Sequence, residues 1–441
     1  MTESAKAQTG EERAASPGSP ESSGSSGGNR WLICAAAVLV QLALGGVYAW
    51  SVFSKALKAP ESFGWTTEKA ALPFTVCIGM IFIGAYLGGR IQDKSGPRTV
   101  ALAGGVIYSV GVIIASFART PDSLWLLVLG YGVLGGFGLG MAYIVPIAML
   151  QKWFPDKPGL ITGLAVGGFG FGAVITAPVG QSLIANNPAV PTEAFLPLGI
   201  GYLVAVLAGA FFFRNPPAGY TVPGWTPKVD PKATDTVQED FTVKEALRTP
   251  QWYLLTAILT FSVLAGISFI SVAASSMTDI AGFSAAGAAS LVGVLGLFNG
   301  AGRVFWGWIS DRIGKMPAFM AILGIQGVCL LLLPHATSVV LFAILAALIY
   351  TCYGGGFGTM PSTAGKFFGI KHAGAIYGLM LVAWSIGGVV GPTVVTKVIG
   401  ANKAYTAGFT VVGIIALVAL VLPLITKPAR KNTAATRPGA N

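Results

Sequence analysis

Gly89-Arg90-Ile91-Gln92-Asp93-Lys94-Ser95-Gly96-Pro97-Arg98 and Gly307-Trp308-Ile309-Ser310-Asp311-Arg312-Ile313-Gly314-Lys315 both read G-x-x-x-D-(K/R)-x-G, 218 residues apart. A second echo lies nearby in each copy. Trp153-Phe154, Gly159 and Gly163 correspond to Phe367-Phe368, Gly374 and Gly378 at offsets of 214 to 215. Two matches at nearly one offset are most economically read as an internal duplication, and duplicated parallel halves place a substrate site at their interface, near mid-membrane.

The surrounding chain decides what is duplicated. Of 441 residues 54% are hydrophobic and only 10% are charged, against about 25% in a soluble domain. That excludes a water-soluble globule. Twelve apolar runs stand between Pro, Gly and charge clusters: 31–53, 70–89, 100–117, 124–150, 159–185, 196–213, 252–275, 285–308, 318–334, 338–361, 373–398 and 405–426. Only helices satisfy their own backbone in lipid over such runs, so the expected fold is an all-α polytopic membrane protein, twelve transmembrane helices in two six-helix halves. Expected domains are a disordered tail (1–29), an N-terminal half (30–213), a linker (214–251), a C-terminal half (252–426) and a second tail (427–441). No short cleavable apolar leader precedes the first long run.

Charge sets the orientation. With the N-terminus inside, the cytoplasmic loops and tails hold 21 Lys and Arg and the opposite side six (Lys55, Lys58, Lys69, Arg119, Lys397 and Lys403). The positive-inside bias therefore predicts both termini in the cytoplasm, in a plasma (inner) membrane. The net charge of +11 is spread between apolar stretches rather than patched, so nucleic acid is not an expected partner. Cys34, Cys77, Cys329 and Cys352 lie inside spans without ligand spacing and read as packing residues, and no metal or cofactor is expected. Glycine runs at 135–140, 167–172 and 354–358 follow no strand and read as small helix-packing faces. His335 and His372 fall in loops, and no Ser-His-acid or Cys-His set converges, so an enzyme is not expected.

One charge is left over. Arg303 lies eight residues before Asp311, about 12 Å along a helix, where half the hydrocarbon thickness is about 15 Å. An Arg at that depth costs about 2.5–3.5 kcal/mol on insertion scales and needs a cavity or a partner. No span offers an Asp or Glu at similar depth. An anionic ligand is the simplest occupant, since a guanidinium fork holds a carboxylate bidentately; backbone carbonyls or snorkelling are the alternatives. Asn299 shares its face by i, i+4 spacing and offers a neutral donor. Tyr48, Tyr143, Tyr350, Tyr353 and Trp384 are polar aromatics well inside spans, each a ligand contact or a packing residue.

The loop motif resembles that of the major facilitator superfamily over residues 31 to 426. The resemblance implies that Asp93 and Asp311 sit near neighbouring helix N-termini, and that Arg98 and Arg312 bridge helices as parts of a gate. The first helix, Gly45-Gly46-Val47-Tyr48-Ala49-Trp50-Ser51-Val52-Phe53, followed by Gly64-Trp65-Thr66, is similar to the oxalate/formate antiporter branch and, more distantly, to animal monocarboxylate transporters. Two departures stand out. In the oxalate carrier the resemblance implies an eleventh-helix Lys where this chain has Trp384, leaving one cation for one negative charge. In the animal transporters it implies an Asp, linked to proton coupling, at the position resembling Asn299. The expected activity is symport of a small monocarboxylate of the lactate and pyruvate class with a proton, by a monomer. Anion exchange is the alternative, since Gly168, Gly172, Ala177 and Pro178 loosely resemble an antiporter glycine motif. A carboxylate sensor without transport is a second alternative.

Overall fold

The computed structural model describes residues 29–226, 240–400 and 403–428. The expectations for the tails at 1–28 and 429–441, and for the linker centre at 227–239, lie outside these residues. The chain is all helical among the described residues, and its spans are α1 (Arg30–Lys58), α2 (Thr67–Ser95), α3 (Pro97–Ala115), α4 (Pro121–Trp153), α5 (Pro158–Asn186), α6 (Pro191–Ala210), α7 (Pro250–Ala281), α8 (Ala285–Ile313), α9 (Lys315–His335), α10 (Val339–Phe368), α11 (Ala373–Ile399) and α12 (Tyr405–Ile425). Eleven of these have the length and apolarity to cross a membrane among the described residues. The remaining helix, α8, is 29 residues long and carries Asn299 and Arg303. Several helices outrun the apolar windows by a turn, because their polar ends still close backbone hydrogen bonds beyond the hydrocarbon.

Packing repeats with a step of six helices. Extensive contacts between α2 and α4, α3 and α6, and α1 and α5 are matched by α8 with α10, α9 with α12, and α7 with α11. The halves meet most extensively where α5 packs on α8 and α2 on α11, and α5 also packs on α10. The last glycine of each loop motif is explained locally. Gly96 has φ 79° between α2 and α3, and Gly314 has φ 96° between α8 and α9, a left-handed region where a side chain is strained. Both motif copies thus encode the same turn.

Three breaks in helical regularity position the centre. In α1 the segment Gly45–Ala49 winds as a 3₁₀-helix carrying Tyr48. A Cβ on Gly45 would strike the Phe169 carbonyl of α5, so that turn is where the two helices meet most closely. In α4, Val128–Gly135 is a π-helical turn, a form that concentrates at functional sites. In α11 the regular helix is interrupted at Leu381 between Ala373–Met380 and Val382–Ile399, one turn before Trp384.

Candidate functional site

Arg303 is 1% exposed. Its backbone is gripped from two sides: a Cβ on Gly163 of α5 would come within 2.5 Å of the Arg303 carbonyl, and one on Gly358 of α10 would collide with the same oxygen. Close backbone approach at two glycines leaves the side chain to run into the space between the halves. There its Nε donates to Asn299 Oδ1 at 3.4 Å, its Nη1 to the Val166 carbonyl at 3.3 Å and its Nη2 to the Tyr48 hydroxyl at 3.2 Å. No carboxylate pairs with it among the described residues.

Aromatic faces enclose the guanidinium. Its carbon lies 5.1 Å from the Phe357 ring centroid, 5.7 Å from Phe169 and 5.9 Å from Tyr48, distances at which a ring quadrupole attracts a cation. Trp384 closes the cage, with ring centroids 5.0 Å from Phe357, 6.0 Å from Tyr48 and 6.1 Å from Phe169. Tyr353 packs on Phe357 at 5.5 Å and Tyr143 on Phe169 at 5.1 Å. The arrangement is a buried cation in an apolar shell, with a tyrosine hydroxyl and an amide among its partners.

The structure brings Arg303, Asn299, Tyr48, Tyr143, Tyr353 and Trp384 together around one centre. Two details differ from the sequence reading. Asn299 turns its amide oxygen to Arg303, so the group expected to donate to a ligand first serves as an acceptor for the guanidinium. Tyr350 belongs elsewhere: it packs on Phe269 at 6.1 Å in a separate apolar cluster.

Sequence reasoning missed Phe169 and Phe357, each set inside a glycine run that reads as a packing face. It also missed Gln41, fully buried two turns before Tyr48 and donating to the Tyr143 carbonyl at 3.1 Å; an isolated amide within an apolar run was the available signal. Tyr377 was missed as well. Its buried hydroxyl neighbours that of Tyr143 without a well-aligned hydrogen bond.

On the motif-loop side the halves are locked unequally. Helix α5 begins after Lys157, which supplies no side-chain cap. Its open N–H groups are satisfied from the other half: Asp311 accepts from Gly159 at 2.8 Å and Leu160 at 3.0 Å, and from Lys315 Nζ at 2.7 Å. A carboxylate at a helix N-terminus gains from both capping and the helix dipole. In the other copy Asp93 meets the His372 side chain at 3.3 Å, just before α11. Among the described residues Arg98 and Arg312 do not bridge the halves. Arg98 lies 5.2 Å from the Phe211 ring centroid and Arg312 4.1 Å from that of Trp308; a surface guanidinium gains more from a ring face than from a carboxylate already engaged. The cation engaged with the Asp311 carboxylate is the buried Lys315 of the same half, and His372, in the loop before α11, is the group that engages Asp93 across the halves.

Comparison with known proteins agrees with this architecture. The Major Facilitator Superfamily model matches residues 32–392 and, in an overlapping second match, 258–440. The chain is 30% identical to the oxalate:formate antiporter of Oxalobacter formigenes over 92% of this chain and 94% of that protein. It is 26% identical to monocarboxylate transporter 12 of Xenopus laevis over 80% of this chain and 79% of that one. In fold it is similar to the E. coli fucose:proton symporter, with a TM-score of 0.68 at 16% identity, covering 91% of this chain and 98% of that structure. A duplicated twelve-helix bundle, its paired loop motifs and a family match over most of the length lead to one conclusion: the chain belongs to the major facilitator superfamily and is a multi-pass membrane transporter.

Proposed function

We propose that this transporter carries small monocarboxylates of the lactate and pyruvate class by proton-coupled symport, with Arg303 binding the carboxylate. The observation that carries the reading is a guanidinium 1% exposed with no acidic partner among the described residues. A guanidinium has five N–H donors. Three are directed at Asn299, Val166 and Tyr48, which leaves one on each terminal nitrogen, the pair a carboxylate engages end-on. Trp384 stands where the resemblance implies a second cation, so one anionic charge neutralises the site and a dianion such as oxalate would carry a surplus. Tyr48, Tyr143, Tyr353, Trp384 and Asn299 complete the proposed binding shell; Asp93 and Asp311 serve as the gates, with Lys315 and His372 in place of Arg98 and Arg312 as the groups that engage them. The loop-charge bias supports cytoplasmic termini in a plasma or inner membrane, with the motif-loop side inward, for a chain acting as a monomer.

Anion exchange is the second reading, and the same absence of a protein carboxylate favours it. An empty site would have to return with an uncompensated buried cation, which is costly, so obligatory loaded return is physically reasonable. Proteoliposomes separate the two. Symport predicts accumulation of labelled lactate or pyruvate driven by an inward proton gradient; exchange predicts uptake only into vesicles preloaded with anion. Gradient-driven accumulation of oxalate in preference to lactate would overturn the monocarboxylate assignment, and absence of uptake in every format would favour a sensor.

A further inference from the structure

A cavity of about 450 Å³ opens on the motif-loop side, beside the Asp93–His372 lock. Its wall includes Tyr86, Arg90, Asp93 and Lys94 from α2, Lys244 from the linker, and His372. The one-turn helix Val243–Ala246 that carries Lys244 is held in place by a capping box between Thr242 and Glu245, and the Phe241 N–H donates to the Phe368 carbonyl at 2.8 Å. The linker is thereby fixed against the end of α10, with Lys244 facing α2 across the opening.

The charges around the cavity are unbalanced. Arg90, Lys94 and Lys244 supply three positive charges against the single carboxylate of Asp93, which is itself bonded to His372. None of the three cations is paired with a carboxylate among the described residues. Arg90 is steadied from its own helix, its Nη1 donating to the Tyr86 hydroxyl at 3.3 Å. Charges placed only to orient the chain need not converge. Here cations from segments about 150 residues apart in sequence face one cavity of ligand size.

We propose that this cavity is a binding site for a multiply charged phosphate, distinct from the Arg303 site. An excess of two positive charges suits a ligand with two or more negative ones, and the volume admits more than a single phosphate group. The walls come from both halves, so the site is complete only while the motif-loop side is closed. A ligand that binds one conformation shifts the population toward it, so occupancy holds the lock shut and slows turnover. The phosphate could come from a soluble ester or from an anionic lipid headgroup.

Pyrophosphate is the probe, titrated calorimetrically onto the full chain in phosphatidylcholine nanodiscs. Binding is expected, and the Arg90→Gln/Lys244→Gln double variant should bind about a hundredfold more weakly, about tenfold for each charged contact removed. Lys55→Gln, on the far side, should bind like wild type. Loss of pyrophosphate binding in discs containing cardiolipin, whose two phosphates carry two negative charges, identifies a lipid headgroup as occupant, unchanged binding a soluble phosphate; both support the site. No binding in phosphatidylcholine discs, or equal binding by wild type and a double variant of unchanged melting temperature, overturns it. Binding is read without transport, so it stands or falls separately from the carboxylate reading, on which only the effect on turnover rests. Uptake equally fast with and without bound pyrophosphate would overturn that effect.

Discussion

Tyr48 and Arg303 are 255 residues apart in sequence, yet the guanidinium of one donates to the hydroxyl of the other at 3.2 Å. This hydrogen bond joins a 3₁₀ turn of α1 to the middle of α8, so the centre of the molecule is built by both halves and changes whenever they move. A carboxylate arriving at the remaining N–H of Nη2 would share the cation with this hydroxyl. The Tyr48 hydroxyl would then hold the guanidinium in place for the ligand as well as keep it hydrogen-bonded without one.

Arg303→Lys is therefore expected to lose carboxylate uptake almost as completely as Arg303→Ala. Lysine lacks the planar fork and places a more strongly hydrated charge among Phe169, Phe357 and Tyr48. Removing one partner of a buried, hydrogen-bonded charge pair costs about 2–5 kcal/mol, at least a thirtyfold loss of affinity. Tyr48→Phe removes one bond to a charged group, about 1.5–3 kcal/mol, and should weaken binding by roughly tenfold or more while uptake remains measurable. Tryptophan-fluorescence titration reads both, and wild-type affinity in Arg303→Ala would refute the site.

Asp311→Asn tests the stronger lock. The carboxylate caps α5 and compensates the buried Lys315, so neutralising it leaves an amide at the helix end and a cation without its partner. An amide still caps the helix but carries no charge, and losing the charge–dipole gain costs about 0.3–1 kcal/mol, enough to shift the closed population up to about fivefold. A cysteine placed near Gly159 should label faster from the motif-loop side. Asp93→Asn should act more weakly, because only the 3.3 Å contact with His372 is lost. Equal effects would show that the two locks are not unequal.

Gly358→Ala and Gly163→Ala test the packing that holds Arg303 in place. In each a methyl group meets the Arg303 carbonyl oxygen, which cannot rotate away as a side chain would. Overpacking of this kind costs about 1–3 kcal/mol. Both variants should melt at lower temperature and bind carboxylate more weakly, whereas Gly293→Ala, which faces open space, should match wild type in both.

The fold was legible because the bilayer leaves so few options: an apolar run of sufficient length must be a helix, and twelve runs with paired loops left one arrangement. Arg303 was legible for the same reason, since a charge at that depth demands an explanation. The cage around it was not. Phe169 and Phe357 are two of many phenylalanines in apolar helices, and only the packing of α5 and α10 on α8 turns them toward the cation. Tyr350 and Tyr353 share a helix, but a separation of three residues rotates one from the other by about 60° and shifts it about 4.5 Å, enough to send Tyr350 to Phe269. His372 reads as a loop residue until α11 is docked against α2 and brings it to Asp93. Sequence periodicity describes one helix at a time, and these residues acquire their partners between helices.

Asn299→Asp asks whether the missing counter-charge controls anion binding. The Asn299 amide oxygen already accepts from Arg303 Nε at 3.4 Å, so a carboxylate of nearly the same shape would take the same position and form an internal ion pair. Opposite charges at that distance in a buried site attract strongly, and a ligand carboxylate must then compete with a partner that never leaves. Affinity for lactate or pyruvate should fall by tenfold or more above neutral pH. Acidification should restore it, because a protonated carboxyl no longer neutralises the guanidinium. Exchange should suffer as well, since a site with its own counter-ion can return empty, and uptake would lose its need for preloaded anion. Calorimetric titrations across the pH range, paired with counterflow, read both effects; wild-type affinity at every pH would mean that Asn299 lies outside the electrostatic reach of the bound anion.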